Sequence, residues 1–149
     1  MSKIYIHYGS KRFRPKLFKP IRNREFFNKP YGGLWASPVD AEYGWKQWTE
    51  DNHYGERSES DSFRFSLPEA NVIHITNKSD IDKLPMTGST DALDMTSMRC
   101  LDFEKLLSSG FDAIELHLSQ NWELYWDLYG WDCDCILVLN PDVIKEIKP

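Results

Sequence analysis

Two acids, a histidine and a cluster of tryptophans are the residues with the most chemistry to offer. Asp132 and Asp134 stand two apart, just ahead of the apolar run Ile136-Leu137-Val138-Leu139. On a strand, that spacing projects both carboxylates from one face. An acid in half-buried surroundings is costly unless it is paired or used. One such carboxylate can stabilise a developing cation, and its neighbour can orient an acceptor or take its proton. His7 sits near the end of the alternating segment Ile4-Tyr5-Ile6-His7-Tyr8, ahead of Gly9-Ser10. The third group is Gly32-Gly33-Leu34-Trp35-Ala36-Ser37-Pro38. Its glycines permit a tight turn or the close approach of a ligand. A short aromatic strand follows, and Ser37-Pro38 has the composition of a helix start. These pieces make a wall for a small, flat ligand if His7 closes one side and the two acids the other. Plainer readings stand beside this one: a packed histidine, an ordinary turn and a solvated strand edge.

The elements that must position these groups are strands separated by short helices. Alternation predicts strands over 3–8, 34–36, 63–67, 72–75, 111–118, 131–139 and 143–147. Helices are expected over 38–50, with Val39, Tyr43 or Ala41, Trp45 and Trp48 supplying the apolar stripe, and over 101–108, capped by Asp102 and ended by Gly110. A single helical turn is expected at 79–84 with Ser79 or Asp80 as cap. Residues 121–129 read as a short helix or an aromatic loop, with Trp122 and Trp126 as packing residues. Residues 11–30 carry Pro15, Pro20 and Pro30 and no period. They read as an ordered, irregular loop pinned by Phe13, Leu17, Phe18, Ile21, Phe26 and Phe27. Residues 51–61 read as a loop, and 85–100 as a loop or a short helix. The whole is an α+β domain, mostly β, in one unit over 1–149.

Composition narrows the partners. The first 30 residues hold nine of the 18 Lys and Arg but only one of the 23 acids, in a chain of net charge −5. A basic segment on an acidic body suits a phosphate-bearing ligand, nucleic acid or an acidic partner. Arg12, Arg14 and Arg22 are the cations this loop offers to a phosphate; the same loop can instead dock a macromolecule or simply be solvated. Aromatics make up 14% with six Trp, which either fill a small core or line a cleft. No metal is expected: Cys133 and Cys135 lack a second pair, and His7, His53, His74 and His117 form no ligand spacing. There is no P-loop and no Gly-x-Gly-x-x-Gly. No segment is apolar for long enough to span a bilayer, and three cysteines suit a reducing cytoplasm.

Four segments then fall in a suggestive order: His7-Tyr8-Gly9-Ser10, Gly33-Leu34-Trp35-Ala36-Ser37, Gly110-Phe111-Asp112-Ala113-Ile114 and Asp132-Cys133-Asp134-Cys135-Ile136-Leu137. In this the chain resembles the ADP-ribosyltransferase superfamily, in its H-Y-[E/D] branch, over nearly its whole length. The resemblance implies a split antiparallel β-sheet with small inserted helices that binds NAD as substrate. It implies that His7 bonds the adenosine-side ribose and that the backbone at Tyr8 and Gly9 holds the nicotinamide amide. Ser10, Gly33, Ser37 and Arg12 would complete the NAD site. Trp35, or Tyr43, Trp45 or Trp48 from the next helix, would stack on the nicotinamide. Asp134 would accept from the 2′-hydroxyl of the nicotinamide ribose, with Asp132 turned to the acceptor; which of the two is central stays open. The chain departs from the pattern in the extra Tyr8, in Trp35 where the family has Tyr, and in Asp where it has Glu. The activity implied is NAD-dependent mono-ADP-ribosyl transfer to a macromolecule, a protein in preference to a nucleic acid, as in toxins and phage effectors. Two alternatives are a non-catalytic binding module that uses loop 11–30 and a tRNA 2′-phosphotransferase-like member of the superfamily.

Overall fold

The computed structural model describes residues 3–24, 27–53, 59–87 and 100–148. The strands are β1 (Ile4–Tyr8), β2 (Arg22–Arg24), β3 (Phe27–Tyr31), β4 (Leu34–Pro38), β5 (Ser62–Ser66), β6 (Val72–Ile75), β7 (Ala113–Leu116), β8 (Cys135–Val138) and β9 (Lys145–Ile147). Among the described residues four short helices join them: α1 (Trp45–Asp51), α2 (Lys78–Asp82), α3 (Phe103–Ser108) and α4 (Leu124–Asp127). Seven strands form one open sheet in the order β6-β7-β8-β4-β1-β5-β9, while β2 and β3 make a separate hairpin. Only β6 and β7 run parallel within the large sheet; its other neighbours are antiparallel. The chain is thus α+β, with a mostly antiparallel open sheet and few helices.

Strand β4 is the pivot of this sheet. Leu34, Trp35 and Ala36 pair with β8, whereas Ser37 and Pro38 pair with β1. Changing partners midway divides the sheet into two parts that share one strand. The period of two then sorts side chains into two cores. Ile114, Leu116, Cys135 and Leu137 face the helices, where they pack with Phe103, Leu106, Leu124 and Trp131. On the other face Ala113, Ile136 and Val138 meet Tyr5, Phe63 and Phe65 from β1 and β5.

Several expectations hold. Strands β1, β5 and β6, helix α3 with Asp102 accepting from the Lys105 N–H at 3.0 Å, and the left-handed Gly110 at φ +96° all lie where the sequence put them. Others need correction. The helix expected from residue 38 begins at Trp45, because β4 runs on through Pro38 in its ladder with β1. Ser37 still serves that helix from a distance: its Oγ accepts the Trp45 N–H at 2.9 Å. Residues 11–30 are not irregular throughout. They contain a 3₁₀ turn at Pro15–Leu17 and the β2–β3 hairpin, where the Arg24 guanidinium lies 4.3 Å from the Tyr31 ring centre. Asn77, rather than Ser79 or Asp80, caps α2; Asp80 reciprocates by accepting from the Thr76 and Asn77 N–H groups. The strand expected over 111–118 is confined to Ala113–Leu116 and that over 131–139 to Cys135–Val138. Phe26, as well as 54–58 and 88–99 of the two expected loops, lies outside the described residues. Cys100, Cys133 and Cys135 are all buried. Among the described residues no helix is long and apolar enough to cross a membrane.

Candidate functional site

The end of β1, the aromatic β4 and the start of α1 converge on a cleft of about 350 Å³ lined by His7, Tyr8, Lys29, Trp35, Trp45, Trp48 and Asp132. Six of these seven are residues that the sequence reading singled out. His7 is held by Trp35: its Nδ1 lies 2.6 Å from the Trp35 carbonyl oxygen. A carbonyl can only accept, so Nδ1 carries the proton, and in the neutral ring Nε2 is the acceptor. The ring also lies 5.2 Å from Phe63. Trp35 meets Trp45 edge-on at 6.4 Å and Trp131 at 4.8 Å, and Trp45 meets Trp48 at 5.7 Å. The cleft is therefore walled by indoles locked in edge-to-face contact, a geometry worth about 0.5–1.5 kcal/mol per pair beyond burial. Trp45 Nε1 is buried with no acceptor among the described residues. An acceptor entering the cleft would offset that deficit, about 1–3 kcal/mol for an unmade hydrogen bond.

Charge enters from two residues. Asp132 is half-buried, and its burial pushes the carboxyl above the usual range while the Lys29 ammonium pulls the other way. Its backbone is left-handed, at φ +69°, a conformation uncommon for non-glycine residues, though Asp and Asn enter it more readily than most. Lys29 donates to the Gly130 carbonyl at 3.2 Å and lies 5.1 Å and 5.5 Å from the Trp35 and Trp45 ring centres. The sequence reading assigned Lys29 no role. The available signal was its spacing: Lys29 and Trp35 each stand three residues from the Gly32 turn. Tyr8 is also half-buried, its phenol pushed up by burial and by Glu59.

A second cavity of about 230 Å³ lies beside the first, lined by His7, Ser10, Arg12, Phe13, Arg14, Leu17, Phe18, Gly33, Leu34 and Phe63. His7 belongs to both. The predicted Ser10, Gly33 and Arg12 fall here, although the Arg12 Nε already pairs with Glu146 at 2.5 Å. Arg22 lines neither cavity; it opens β2.

The remaining predicted residues are architectural. Asp134 does not share a strand face with Asp132, because the left-handed Asp132 breaks the extended backbone and β8 begins only at Cys135. The buried Asp134 carboxylate instead accepts from the Ser119 N–H at 2.7 Å, the Ser119 hydroxyl at 2.6 Å and the Tyr43 N–H at 3.2 Å. Ser37 donates to the Asp134 carbonyl at 2.9 Å. Ser37, Tyr43 and Asp134 thus clamp β4, the approach to α1 and the segment before β8 to one another. The Tyr43 hydroxyl donates to Asp51 at 2.9 Å, and burial with that contact pushes the phenol up to about 12. The Gly9 N–H is taken by the Asp61 carbonyl at 2.8 Å. Gly32 and Gly33 are needed for packing: a Cβ would lie 2.2 Å from the Pro20 oxygen at the first and 2.6 Å from Leu137 Cδ1 at the second. Comparison with protein-family models, with curated proteins and with solved structures finds no match.

Proposed function

We propose that the protein cleaves NAD and transfers its ADP-ribose to a macromolecular acceptor, a protein in preference to a nucleic acid, with release of nicotinamide. The observation that carries this reading is His7, shared by an aromatic cleft bearing Asp132 and by a basic cavity bearing Arg12 and Arg14. NAD has the matching layout: a flat cationic ring and ribose at one end, a pyrophosphate and adenosine at the other. The aromatic cleft is of ligand-pocket scale, and the cavity beside it, sharing His7, extends it. In the reaction the bond from the ribose C1′ to the nicotinamide nitrogen breaks, and its electron pair leaves with neutral nicotinamide. The sugar cation that remains needs a fixed negative charge nearby, and Asp132 is the only acid lining the cleft among the described residues. The acceptor then bonds C1′ and loses its proton. Indole faces suit a pyridinium, but Lys29 already occupies the Trp35 and Trp45 faces. Binding would turn its ammonium towards the pyrophosphate, where a charge-assisted hydrogen bond is stronger.

Compared with the resembled family, this reading moves the acid from Asp134 to Asp132. A specific observation favours the second reading, a non-catalytic binding module on the same fold: Asp134, one of the two acids the resemblance offers for catalysis, is spent on structural hydrogen bonds. Exposed Arg14, Lys16, Lys19 and Arg22 would then supply a salt-sensitive grip. One experiment separates the two. The full chain is incubated with NAD labelled in the adenylate and a cell lysate, while free nicotinamide is measured. Nicotinamide release with label on a macromolecule supports the enzyme. No NAD-dependent thermal shift and no release, together with salt-sensitive capture of a partner, supports the module.

A further inference from the structure

His74, Glu115 and His117 are brought together on the sheet face opposite the helices, and none of them lines the cleft. The parallel register of β6 and β7 sets His74 beside Glu115, and His117 follows Glu115 by two residues, on the same side. One donor atom from each of the three lies within 4.8 Å of the others. His74 Nδ1 is 3.0 Å from His117 Nε2, and that nitrogen is 3.5 Å from Glu115 Oε2. The imidazoles stack at 5.2 Å with an angle of 27°. Two neutral ring nitrogens facing each other can share only one proton.

We propose that these three side chains form a binding site for a divalent transition metal, with Zn²⁺ the best chemical match. Tetrahedral zinc with bonds of about 2.0–2.1 Å keeps its ligand atoms about 3.3 Å apart, and the observed 3.0 and 3.5 Å lie on either side of that. Two imidazoles and one carboxylate suit zinc and its neighbours rather than Ca²⁺ or Mg²⁺, which prefer oxygen donors. Three protein ligands leave one position for water, reached from solvent on the exposed His74 side.

The surroundings of Glu115 strengthen the assignment. Its side chain is fully buried within an otherwise apolar strand, a costly place for an acid without a fixed purpose. The Tyr5 hydroxyl donates to Oε1 at 2.5 Å and so orients the carboxylate with Oε2 towards His117, as outer partners of metal ligands do. Lys3 Nζ sits 2.5 Å from that same Oε2. The ammonium holds the place of the cation, and the metal competes with it. The site tethers β6 and β7 to the start of β1, and it stands whether or not the NAD reading does.

This arrangement has a signature that casual binding by histidines lacks: removing a ligand and removing Lys3 act in opposite directions. The full chain is titrated with ZnCl₂ against a chromophoric chelator and, separately, with CoCl₂ while visible absorption is followed. One equivalent is expected to bind, with a tetrahedral Co²⁺ spectrum free of thiolate charge transfer, and saturating zinc is expected to raise Tm by about 5–10 °C. His74→Ala and His117→Ala are expected to weaken binding at least 100-fold, while Lys3→Met tightens it several-fold. Because His74 is exposed, its variant keeps the fold, which circular dichroism checks. The proposal is overturned if the wild-type chain binds no zinc, if His74→Ala binds as tightly as wild type, or if the cobalt spectrum reports thiolate ligands from the cysteines.

Discussion

Exchanging each of the two neighbouring acids for its amide separates chemistry from architecture. Asp132→Asn keeps the shape of the side chain and tolerates the left-handed backbone at φ +69°, a region in which Asn is at home. What it removes is a half-buried negative charge facing the cleft. One preorganised group of that kind is worth about 3–4 kcal/mol of barrier, so nicotinamide release should fall by roughly 10²–10³-fold. Stability should hold or rise, because a desolvated charge has been taken out of the fold. Asp134→Asn should behave in the opposite way. Its three accepted hydrogen bonds lose their charge assistance, and the new NH₂ must face at least one donor from Ser119 or Tyr43. A charge-assisted hydrogen bond contributes about 1.5–3 kcal/mol; for a chain of this size such a loss lowers Tm by roughly 5–10 °C. The assay pairs thermal unfolding with nicotinamide release at a temperature where both variants are folded. Activity in Asp132→Asn within a few-fold of wild type, with Asp134→Asn inactive at an unchanged Tm, would refute the division of labour argued above.

Three other outcomes follow from the geometry. For Asp132, burial raises the folded-state pKa above that of the unfolded chain. Its negative charge is therefore lost as pH falls through that raised value, so kcat/KM should decline on the acid side above the ordinary carboxylate range, and the same group should lower stability as pH rises through the interval; a pH–rate profile beside pH-dependent denaturation checks both. Gly32→Ala should destabilise the fold by more than about 1 kcal/mol, since the backbone is at φ +77° and a Cβ would strike the Pro20 oxygen; urea unfolding measures it, and a neutral result would remove the packing role given to the glycine. Asn77→Ala should cost about 1 kcal/mol through loss of the α2 cap, read as a lower urea midpoint at constant slope.

Much of this molecule was legible residue by residue. Alternation in Ile4–Tyr8 and Phe63–Leu67 is a local property, and a two-residue period leaves little choice of conformation once one face is buried. Asp102 and Gly110 bracket α3 by chemistry that acts within one turn of chain. The resemblance to the ADP-ribosyltransferase pattern had already put His7, Tyr8, Trp35, Trp45, Trp48 and Asp132 in one site, and all six line the cleft. Other positions were misread because a distant contact outweighed the local signal. Ser37-Pro38 has the letters of a helix start, yet pairing with β1 keeps those residues extended and leaves Ser37 to cap the helix across a turn. Asp132 and Asp134 alternate as strand residues do, but Ser119 and Tyr43 draw Asp134 inward while Asp132 adopts a positive φ.

The amino-acid sequence by itself thus determined strands β1, β5 and β6 and both ends of α3, because each rests on period, cap or turn chemistry within a few residues. The tertiary structure alone decided which acid faces the cleft, that Lys29 lies against its indoles, and that His74, Glu115 and His117 meet beside Lys3 and Tyr5. Those outcomes depend on strand order and register across gaps of up to 112 residues, as between Lys3 and Glu115. They are set by which strands pair and by how each buried charge finds its partner.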